Sequence, residues 1–370
     1  MIIKNANVYS ENGSFTKKDI YIDGERISAL GSSLDQVIEA EGMYAIPGLT
    51  DIHFHGCVGY DFCDGTQEAT KALADYEASQ GITSIAPATM TLGNDELVQI
   101  FTNASTYKSE SGAALVGINM EGPYLSYAKK GAQNGTFLKQ PEVAHYHRMQ
   151  ALSGGLIKLV SLAPEEEGAM EFIKELKDEV IISVAHTTAD YDTASEAFKN
   201  GASHVTHLYN AMPAYTHREP GVVGAAFDHK KVNVELICDG VHIHPSVVRA
   251  TFQMFGEDRI ILISDSMMAT GLEDGEYSLG GQKVNVVGNR ATLADGTIAG
   301  SVTNLMKCMK TAVSFGIPLE SAIKCAAVNP AKRIGIYQDY GSIIPGKYAN
   351  IVLLDSKLEV KTVILKGKCI

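Results

Sequence analysis

The sequence lacks several features that would place it in other classes of protein. It has no run of about 18 apolar residues, so no transmembrane helix is expected, and residues 1–5 lack the apolar core of a signal peptide. Its six cysteines show neither CxxC spacing nor the density of a disulfide-rich domain, which indicates reduced thiols. No low-complexity tract interrupts the chain. These absences predict a cytoplasmic protein without a membrane partner.

Basic charge is also scarce. The chain has 31 lysines and arginines against 43 acidic residues, and its net charge is -12. Such a balance disfavours nucleic acid and anionic membranes as partners, so any bound phosphate must meet a local cationic pocket. With 370 residues, of which 45% are hydrophobic, the chain can bury a large core in one α/β domain or in two domains.

The rhythm of apolar segments changes twice along the chain. Residues 1–47 and 346–370 alternate short β-like runs with turns, and predict a small β-sandwich domain formed from both termini. Residues 48–345 alternate eight apolar runs with helical stretches, which is typical of a (β/α)8 barrel. The turn-rich residues 271–296 predict a β-hairpin insertion after the eighth strand. The predicted strands are residues 49–55, 84–88, 115–120, 157–161, 181–185, 204–207, 232–237 and 260–263, and the predicted helices are residues 66–80, 94–108, 168–177, 188–200, 245–254 and 303–314.

Polar residues follow five of these strands directly. Side chains two residues apart on a strand face the same side, so a His-x-His after strand one can converge on one ion. Barrel enzymes carry their chemistry at the carboxyl ends of strands, and imidazole and carboxylate groups ligate metals. One strand-end histidine alone is more often a packing residue, but five strands together predict a metal centre. The residues are His53, His55, Glu121, His186, His207 and Asp265.

Each group suits a particular role. Glu121, His186 and His207 are expected to hold one divalent ion that keeps an open position for water and lowers its pKa. Asp265 suits a general base that later passes the proton to the leaving group, although it could instead cap the turn after strand eight. The ligand set favours zinc, with iron, manganese and cobalt as alternatives.

Local strings resemble the amidohydrolase superfamily and, within it, the N-acetylglucosamine-6-phosphate deacetylases. The order of a His-x-His pair, a strand-three glutamate, two later histidines and a strand-eight aspartate is similar to that of the superfamily. The strings cover essentially the whole chain, and HLYNAM at 207–212 followed by REPG at 218–221 is highly specific. The other strings are MEGPY at 120–124, KKGA at 129–132, AHT at 185–187, DGVH at 239–242 and AGS at 299–301.

The resemblance implies hydrolysis of N-acetylglucosamine-6-phosphate to glucosamine-6-phosphate and acetate. It also implies a homodimer in which Arg218 reaches the neighbouring subunit's site. One or two ions per subunit are expected: His53 and His55 would hold a second ion bridged by Glu121, or would only hydrogen-bond substrate or water. The implied substrate-binding residues are Ala132, Gln133, Asn210, Ala211, Arg218, His242, Ile298, Ala299 and Gly300.

Gln133 departs from the family pattern, which usually has histidine there. A glutamine can donate a hydrogen bond but carries no charge, so oxyanion support would rest more on the metal, or another amino sugar would be preferred. N-acetylgalactosamine-6-phosphate is therefore the nearest alternative substrate. A cyclic-amide hydrolase is disfavoured because Lys158 lies too early in its strand to bridge two metals. A non-catalytic sugar-phosphate sensor would be expected to have lost a ligand or the base.

Overall fold

The computed structural model describes residues 1–30, 36–109 and 111–370, which form a mixed α/β fold. Three 3-10 turns cover Phe62–Asp64, Tyr127–Lys129 and Gly135–Phe137, and a π-helical turn at Lys324–Val328 joins the last two helices. The α-helices are α1 (Gln67–Ser79), α2 (Asn94–Thr106), α3 (Val143–Leu152), α4 (Ala169–Leu176), α5 (Tyr191–Asn200), α6 (Gly221–Asp228), α7 (Pro245–Phe255), α8 (Leu305–Ser314), α9 (Leu319–Ile323) and α10 (Asn329–Arg333).

Strands from the two ends of the chain pair in one eight-stranded sheet. The contact between the ends is antiparallel, with Ile351 opposite Pro47 and Leu354 opposite Tyr44, so the predicted pairing of the termini is present. The strands belong to a single sheet, and the sandwich stays a prediction. They are β1 (Ile2–Tyr9), β2 (Phe15–Asp23), β3 (Arg26–Ser28), β4 (Val37–Glu39), β5 (Tyr44–Pro47), β20 (Ile351–Leu354), β21 (Val360–Leu365) and β22 (Lys368–Cys369).

Parallel strands form two further sheets between these ends. One sheet has three strands, and the other runs through six strands in chain order. A parallel bridge joins Ala88 to Asn119, and the Asp265 amide donates to the His53 carbonyl at 2.9 Å, so the two sheets meet at two places. The strands are β6 (Leu49–Asp51), β9 (Ile82–Ile85), β10 (Ala114–Leu115), β11 (Ile118–Tyr124), β12 (Ile157–Leu162), β13 (Ile181–Val184), β14 (His204–Val205), β15 (Asn233–Ile237) and β16 (Ile260–Ile263).

The segment after β16 folds as antiparallel strands, as the turn signals predict. β17 (Gly275–Leu279) and β18 (Gln282–Val287) are joined at Gly280 and Gly281, whose φ values of 56° and 77° suit glycine. A third strand, β19 (Arg290–Thr292), extends the predicted hairpin. A short hairpin, β7 (Gly56–Cys57) with β8 (Tyr60–Asp61), lies earlier in the chain.

Several parallel strands are shorter than the apolar runs suggest. The prediction for residues 49–55 extends past the end of β6 at Asp51, whose carboxylate accepts a hydrogen bond from the His53 amide at 3.1 Å. The predicted strand at 204–207 is only two residues long because the backbone turns at His207, where φ is 28°. Residues 115–120 are divided between β10 and β11. β6 and β14 thus end before His53 and His207, whereas β11 continues through Glu121 to Tyr124.

The buried apolar side chains fall into three clusters. The largest lies between the parallel strands and the helices, and a second packs against the terminal sheet. The third joins Leu159, Ile237 and Ile261 from the six-stranded sheet to Ile52 and Ala86, which directly follow strands of the three-stranded sheet. Within the described residues, no helix has both the length and the apolar character needed to cross a membrane.

Candidate metal centre and cavity

Six polar side chains from five parallel strands meet at one end of those strands. Glu121 lies inside β11, and each of the others lies shortly after the end of its strand. All six are buried, with at most 8% of any residue exposed. The positions that the sequence predicts as metal ligands and base are therefore brought together. They are His53 and His55 after β6, Glu121 in β11, His186 after β13, His207 after β14 and Asp265 after β16.

Glu121, His186 and His207 form the first group of candidate ligands. The Nε2 atoms of the two histidines are 3.1 Å apart, and each is 3.2 Å from Oε1 of Glu121. Nδ1 of His186 donates to the Lys129 carbonyl at 2.8 Å, which leaves its Nε2 lone pair facing the other two groups. Two nitrogens and a carboxylate oxygen arranged in this way are a donor set suited to a divalent ion.

His53, His55 and Asp265 form a second group beside the first. Oδ1 of Asp265 lies 3.7 Å from Nε2 of His53 and 3.3 Å from Nε2 of His55. The same two nitrogens lie 3.5 Å and 3.4 Å from the carboxylate of Glu121. Glu121 thus faces both groups, as a carboxylate shared between two ions would.

The backbone is strained where these side chains leave their strands. His186, His207 and Asp265 have φ values of 42°, 28° and 50°, in the left-handed region that side chains rarely adopt. Strain of this kind costs about 1–3 kcal/mol per residue and persists only when the surroundings impose it. At Asp265, two hydrogen bonds impose this conformation. Its amide donates to the His53 carbonyl, and its carbonyl accepts from the Ser301 amide at 2.7 Å.

Electrostatic interactions keep both carboxylates ionised. Burial alone would raise the pKa of Glu121, but the positive charge of His53 and the neighbouring rings of His186 and His207 hold it well below its usual range. Burial is likewise outweighed at Asp265, whose pKa is lowered by His55 and His53. In turn, Asp265 and Glu121 raise the pKa of His55 to about 10 against the effect of its burial. This buried pair of negative charges attracts a cation.

A cavity of about 400 Å³ opens beside the two groups. Ala299 is fully buried and does not line it, whereas its neighbours in the chain do. Arg218 is exposed, lies outside the lining, and its Nη1 is 2.6 Å from Nε2 of His217. The predicted substrate-binding residues that line the cavity are Ala132, Gln133, Asn210, Ala211, His242, Ile298 and Gly300.

Gln133 makes contacts that the sequence does not reveal. Its Nε2 donates to Oε2 of Glu121 at 2.9 Å, and its Oε1 accepts from the Thr91 amide at 2.7 Å. The side chain therefore restrains one oxygen of Glu121 and leaves the other facing His186 and His207. A substrate contact at this position stays a prediction.

His242, which also lines the cavity, is oriented by Asp239. Its Nδ1 donates to Asp239 Oδ2 at 2.7 Å, while Oδ1 accepts from the backbone amides of Val241 and His242. Burial would lower the pKa of His242, but the bond to Asp239 raises it above the ordinary value. This cationic tendency suits a contact with an anionic ligand.

Sequence reasoning missed Glu235, which is fully buried in β15 and hydrogen-bonded to His53 Nδ1 at 2.9 Å. The available signal was an acidic residue in the otherwise apolar run VELI at 234–237. It also missed His204 and Thr91, whose importance depends on partners distant in the chain.

Comparison with known proteins gives matches along the whole chain. Residues 44–370 match the family described as the Amidohydrolase family. The chain is 37% identical to N-acetylglucosamine-6-phosphate deacetylase of Bacillus subtilis, covering 99% of this chain and 96% of that protein. It is 32% identical to N-acetylgalactosamine-6-phosphate deacetylase of Escherichia coli O157:H7, covering 99% and 98%.

A solved structure is similarly close. It is N-acetyl-D-glucosamine-6-phosphate deacetylase of Mycobacterium smegmatis, as an aspartate-to-alanine mutant in complex with N-acetyl-D-glucosamine-6-phosphate. The TM-score is 0.93 at 31% identity, and the match covers 100% of this chain and 98% of that one.

Zinc is expected to raise the thermal unfolding midpoint of metal-free protein. An ion that binds only the folded chain stabilises it by about 2.7 kcal/mol at 100 times its Kd. His186→Asn should reduce the shift because it removes one ligand. His147→Asn is the control, since this exposed histidine on α3 pairs with Glu179 and does not line the cavity. An equal shift in His186→Asn and wild type would contradict metal binding by the first group.

Proposed function

The chain belongs to the amidohydrolase family, and we propose that it removes the acetyl group from N-acetylglucosamine-6-phosphate to give glucosamine-6-phosphate and acetate. The observation that carries this proposal is the meeting of Glu121, His186, His207 and Asp265 in the lining of one cavity. The similarity to deacetylases over nearly the full length supports the same reaction. The proposed location is the cytoplasm, where the six free thiols would stay reduced.

The proposed scaffold is a closed (β/α)8 barrel over residues 48–345, with the insertion at 271–296 and a small β-sandwich from residues 1–47 and 346–370. The bridge between Ala88 and Asn119 and the hydrogen bond between Asp265 and His53 support closure. Apolar side chains from both parallel sheets also share one buried cluster, as they would inside a barrel. Closure would place all the strand ends around one mouth.

The two groups of ligands are proposed to hold one or two divalent ions, with zinc expected first and iron, manganese or cobalt as alternatives. An ion bound there polarises a carbonyl and lowers the pKa of water. Glu121, His186 and His207 would hold the first ion. His53, His55 and Asp265 would hold the second, with Glu121 between them.

Asp265 is proposed as the catalytic acid and base. Its carboxylate lines the cavity beside both ligand groups, so it can take a proton from the attacking water. It then delivers that proton to the nitrogen of the acetamide, because an amide anion is too poor a leaving group to depart unprotonated.

The rest of the lining is proposed to hold the sugar and its phosphate. His242, already oriented by Asp239, offers a cationic imidazole, and Asn210 and Ala211 line the same cavity. Ala132 and Gln133 border Glu121 at the acetamide end. Backbone groups of residues 298–300 close the side next to the antiparallel insertion.

Arg218 is proposed to complete the phosphate site of a neighbouring subunit in a homodimer. Its planar guanidinium suits phosphate oxygens. It lies on an exposed segment, residues 214–219, and does not line the cavity of its own chain. A residue so placed is accessible to a second molecule.

N-acetylgalactosamine-6-phosphate is the second candidate substrate. The relative in Escherichia coli O157:H7 named for that sugar is 32% identical to this chain. The two sugars differ at one hydroxyl, and Gln133 alters the hydrogen-bonding groups beside the ligands.

Asp265→Asn is expected to retain the ion held by Glu121, His186 and His207 but to lower kcat by about 10²–10⁴, the range for a lost general acid and base. Metal content and acetate release measure the two effects. Asp339→Asn serves as control, since that aspartate pairs with Arg26 and does not line the cavity. Unchanged turnover would remove Asp265 from the mechanism. Tight sugar phosphate binding by metal-loaded wild type without acetate release would favour a sensor.

The protein is expected to have a higher kcat/KM for N-acetylglucosamine-6-phosphate than for N-acetylgalactosamine-6-phosphate. A hydroxyl that the site hydrogen-bonds discriminates strongly against an epimer that misplaces it. The measurement is acetate release from both phosphorylated sugars, for wild type and for Gln133→His. A higher kcat/KM for the galacto epimer in wild type would replace the first substrate with the second.

Arg218→Ala and Asp265→Asn are expected to complement each other when co-expressed. In a random mixture half of the dimers are mixed, and each would contain one intact site, so about a quarter of wild-type activity should return. Asp265→Asn co-expressed with Asp265→Ala is the control, because no intact site can form. Recovery no greater than in this control would place Arg218 outside the partner's site.

A further inference from the structure

Glu235 receives hydrogen bonds from three buried donors that belong to different parts of the chain. Its Oε2 lies 2.9 Å from Nδ1 of His53 and 3.1 Å from the amide of His207, and its Oε1 lies 3.0 Å from Nε2 of His204. The residue is fully buried. It therefore touches one member of each candidate ligand group without itself facing the cavity.

The proton on His204 can be assigned from its two partners. Nε of Arg333 lies 3.3 Å from Nδ1 of His204, and a guanidinium can only donate, so Nδ1 must accept. Nε2 then carries the proton and donates it to Glu235. Burial lowers the pKa of Arg333 to about 10, which still leaves it protonated at neutral pH. Arg333 is held in place by donating to the Ser203 carbonyl at 2.9 Å and to its hydroxyl at 2.6 Å.

The same reasoning extends to His53. Glu235 already accepts from His204 and from the His207 amide, and as a carboxylate it also requires a proton on Nδ1 of His53. Nε2 of His53 then points at oxygens of Glu121 and Asp265, 3.5 Å and 3.7 Å away. That nitrogen is buried and has no hydrogen-bond partner among the described residues. Two facing carboxylates require either a proton or a cation at that nitrogen, since a bare lone pair directed at them is unfavourable.

We propose that Glu235, anchored by His204 and Arg333, is a positioning residue that fixes His53 with its Nε2 toward the cavity and so enables His53, His55 and Asp265 to hold an ion. The inference rests on the metal dependence proposed above. A carboxylate behind a ligating imidazole sets its tautomer and raises its basicity. Nothing else in the described structure hydrogen-bonds the His53 ring at Nδ1.

Replacement of Glu235 by glutamine tests this role because both oxygens of Glu235 accept hydrogen bonds. If the new NH2 occupied the Oε2 position, it would face the His207 amide, which is also a donor. In the Oε1 position it would face Nε2 of His204, whose tautomer is set by Arg333. The NH2 group therefore faces a hydrogen-bond donor in either orientation, and the loss of the carboxylate charge weakens the hold on the Nδ1 proton of His53 in both.

The experiment compares zinc content and zinc affinity of wild type, Glu235→Gln, Glu235→Asp and Glu77→Gln after metal loading. Glu77 is the matched control: it is fully buried in α1, neither of its oxygens has a hydrogen-bond partner in the described structure, and burial raises its pKa well above the ordinary value. Elemental analysis gives the ions per chain, and competition with a chelator gives the affinity.

Wild type and Glu77→Gln are expected to bind two ions, and Glu235→Gln to bind its second ion about 10–100-fold more weakly. Glu235→Asp should recover part of the loss because it retains the charge. Equal content and affinity in Glu235→Gln and wild type, or an equal loss in Glu77→Gln, would overturn the inference. One ion in wild type would overturn it as well. No ion in wild type would instead refute the proposed metal dependence.

A measurement on unaltered protein keeps the inference testable if Glu235→Gln fails to fold. Nitrogen NMR of zinc-loaded, 15N-histidine-labelled wild type distinguishes the tautomers. His53 is expected to carry its proton on Nδ1 and to show a metal-bound Nε2, and His204 to carry its proton on Nε2. A proton on Nε2 of His53 in the zinc-loaded protein would overturn the inference.

Discussion

The carboxylate of Glu121 is the interaction on which the site depends. Its two oxygens lie between 3.2 Å and 3.5 Å from the Nε2 atoms of four histidines. A buried carboxylate in isolation would be strongly destabilised, and four imidazoles around it provide compensation only when protons or a cation are present. The amide of Gln133 restrains one of the oxygens. The same arrangement of charge thus brings the site residues together and makes them suited to hold a cation.

Holding these groups together imposes a conformational cost that the fold must offset. The left-handed backbone at His186, His207 and Asp265 is unfavourable at each residue. The compensating hydrogen bonds are the ones that join neighbouring strand ends, such as the Asp265 amide to the His53 carbonyl and the His207 amide to Glu235. The contacts that define the shape of the site are therefore also contacts that hold the parallel strands together.

Residues behind the cavity have as much influence on its chemistry as those that line it. His53, His186 and His242 each have their second ring nitrogen engaged, by Glu235, the Lys129 carbonyl and Asp239 respectively. Because one nitrogen of a neutral imidazole donates and the other accepts, each such partner decides which nitrogen faces the cavity. These partners lie outside the predicted strand-end positions.

The sequence by itself determined which chemical groups are present and the order in which strands deliver them, because apolar periodicity and strand-end chemistry are local properties. The strand-end positions of His53, His186, His207 and Asp265 could be predicted in this way, whereas Glu121 lies inside β11 and not after its end. Strand lengths could not, since the backbone turns at His207 for reasons of tertiary contact. The two hydrogen bonds of the Gln133 side-chain amide could not be predicted from the sequence either. Only the tertiary structure decided which ring nitrogen of His53 faces Glu121, because its partner Glu235 lies 182 residues away along the chain.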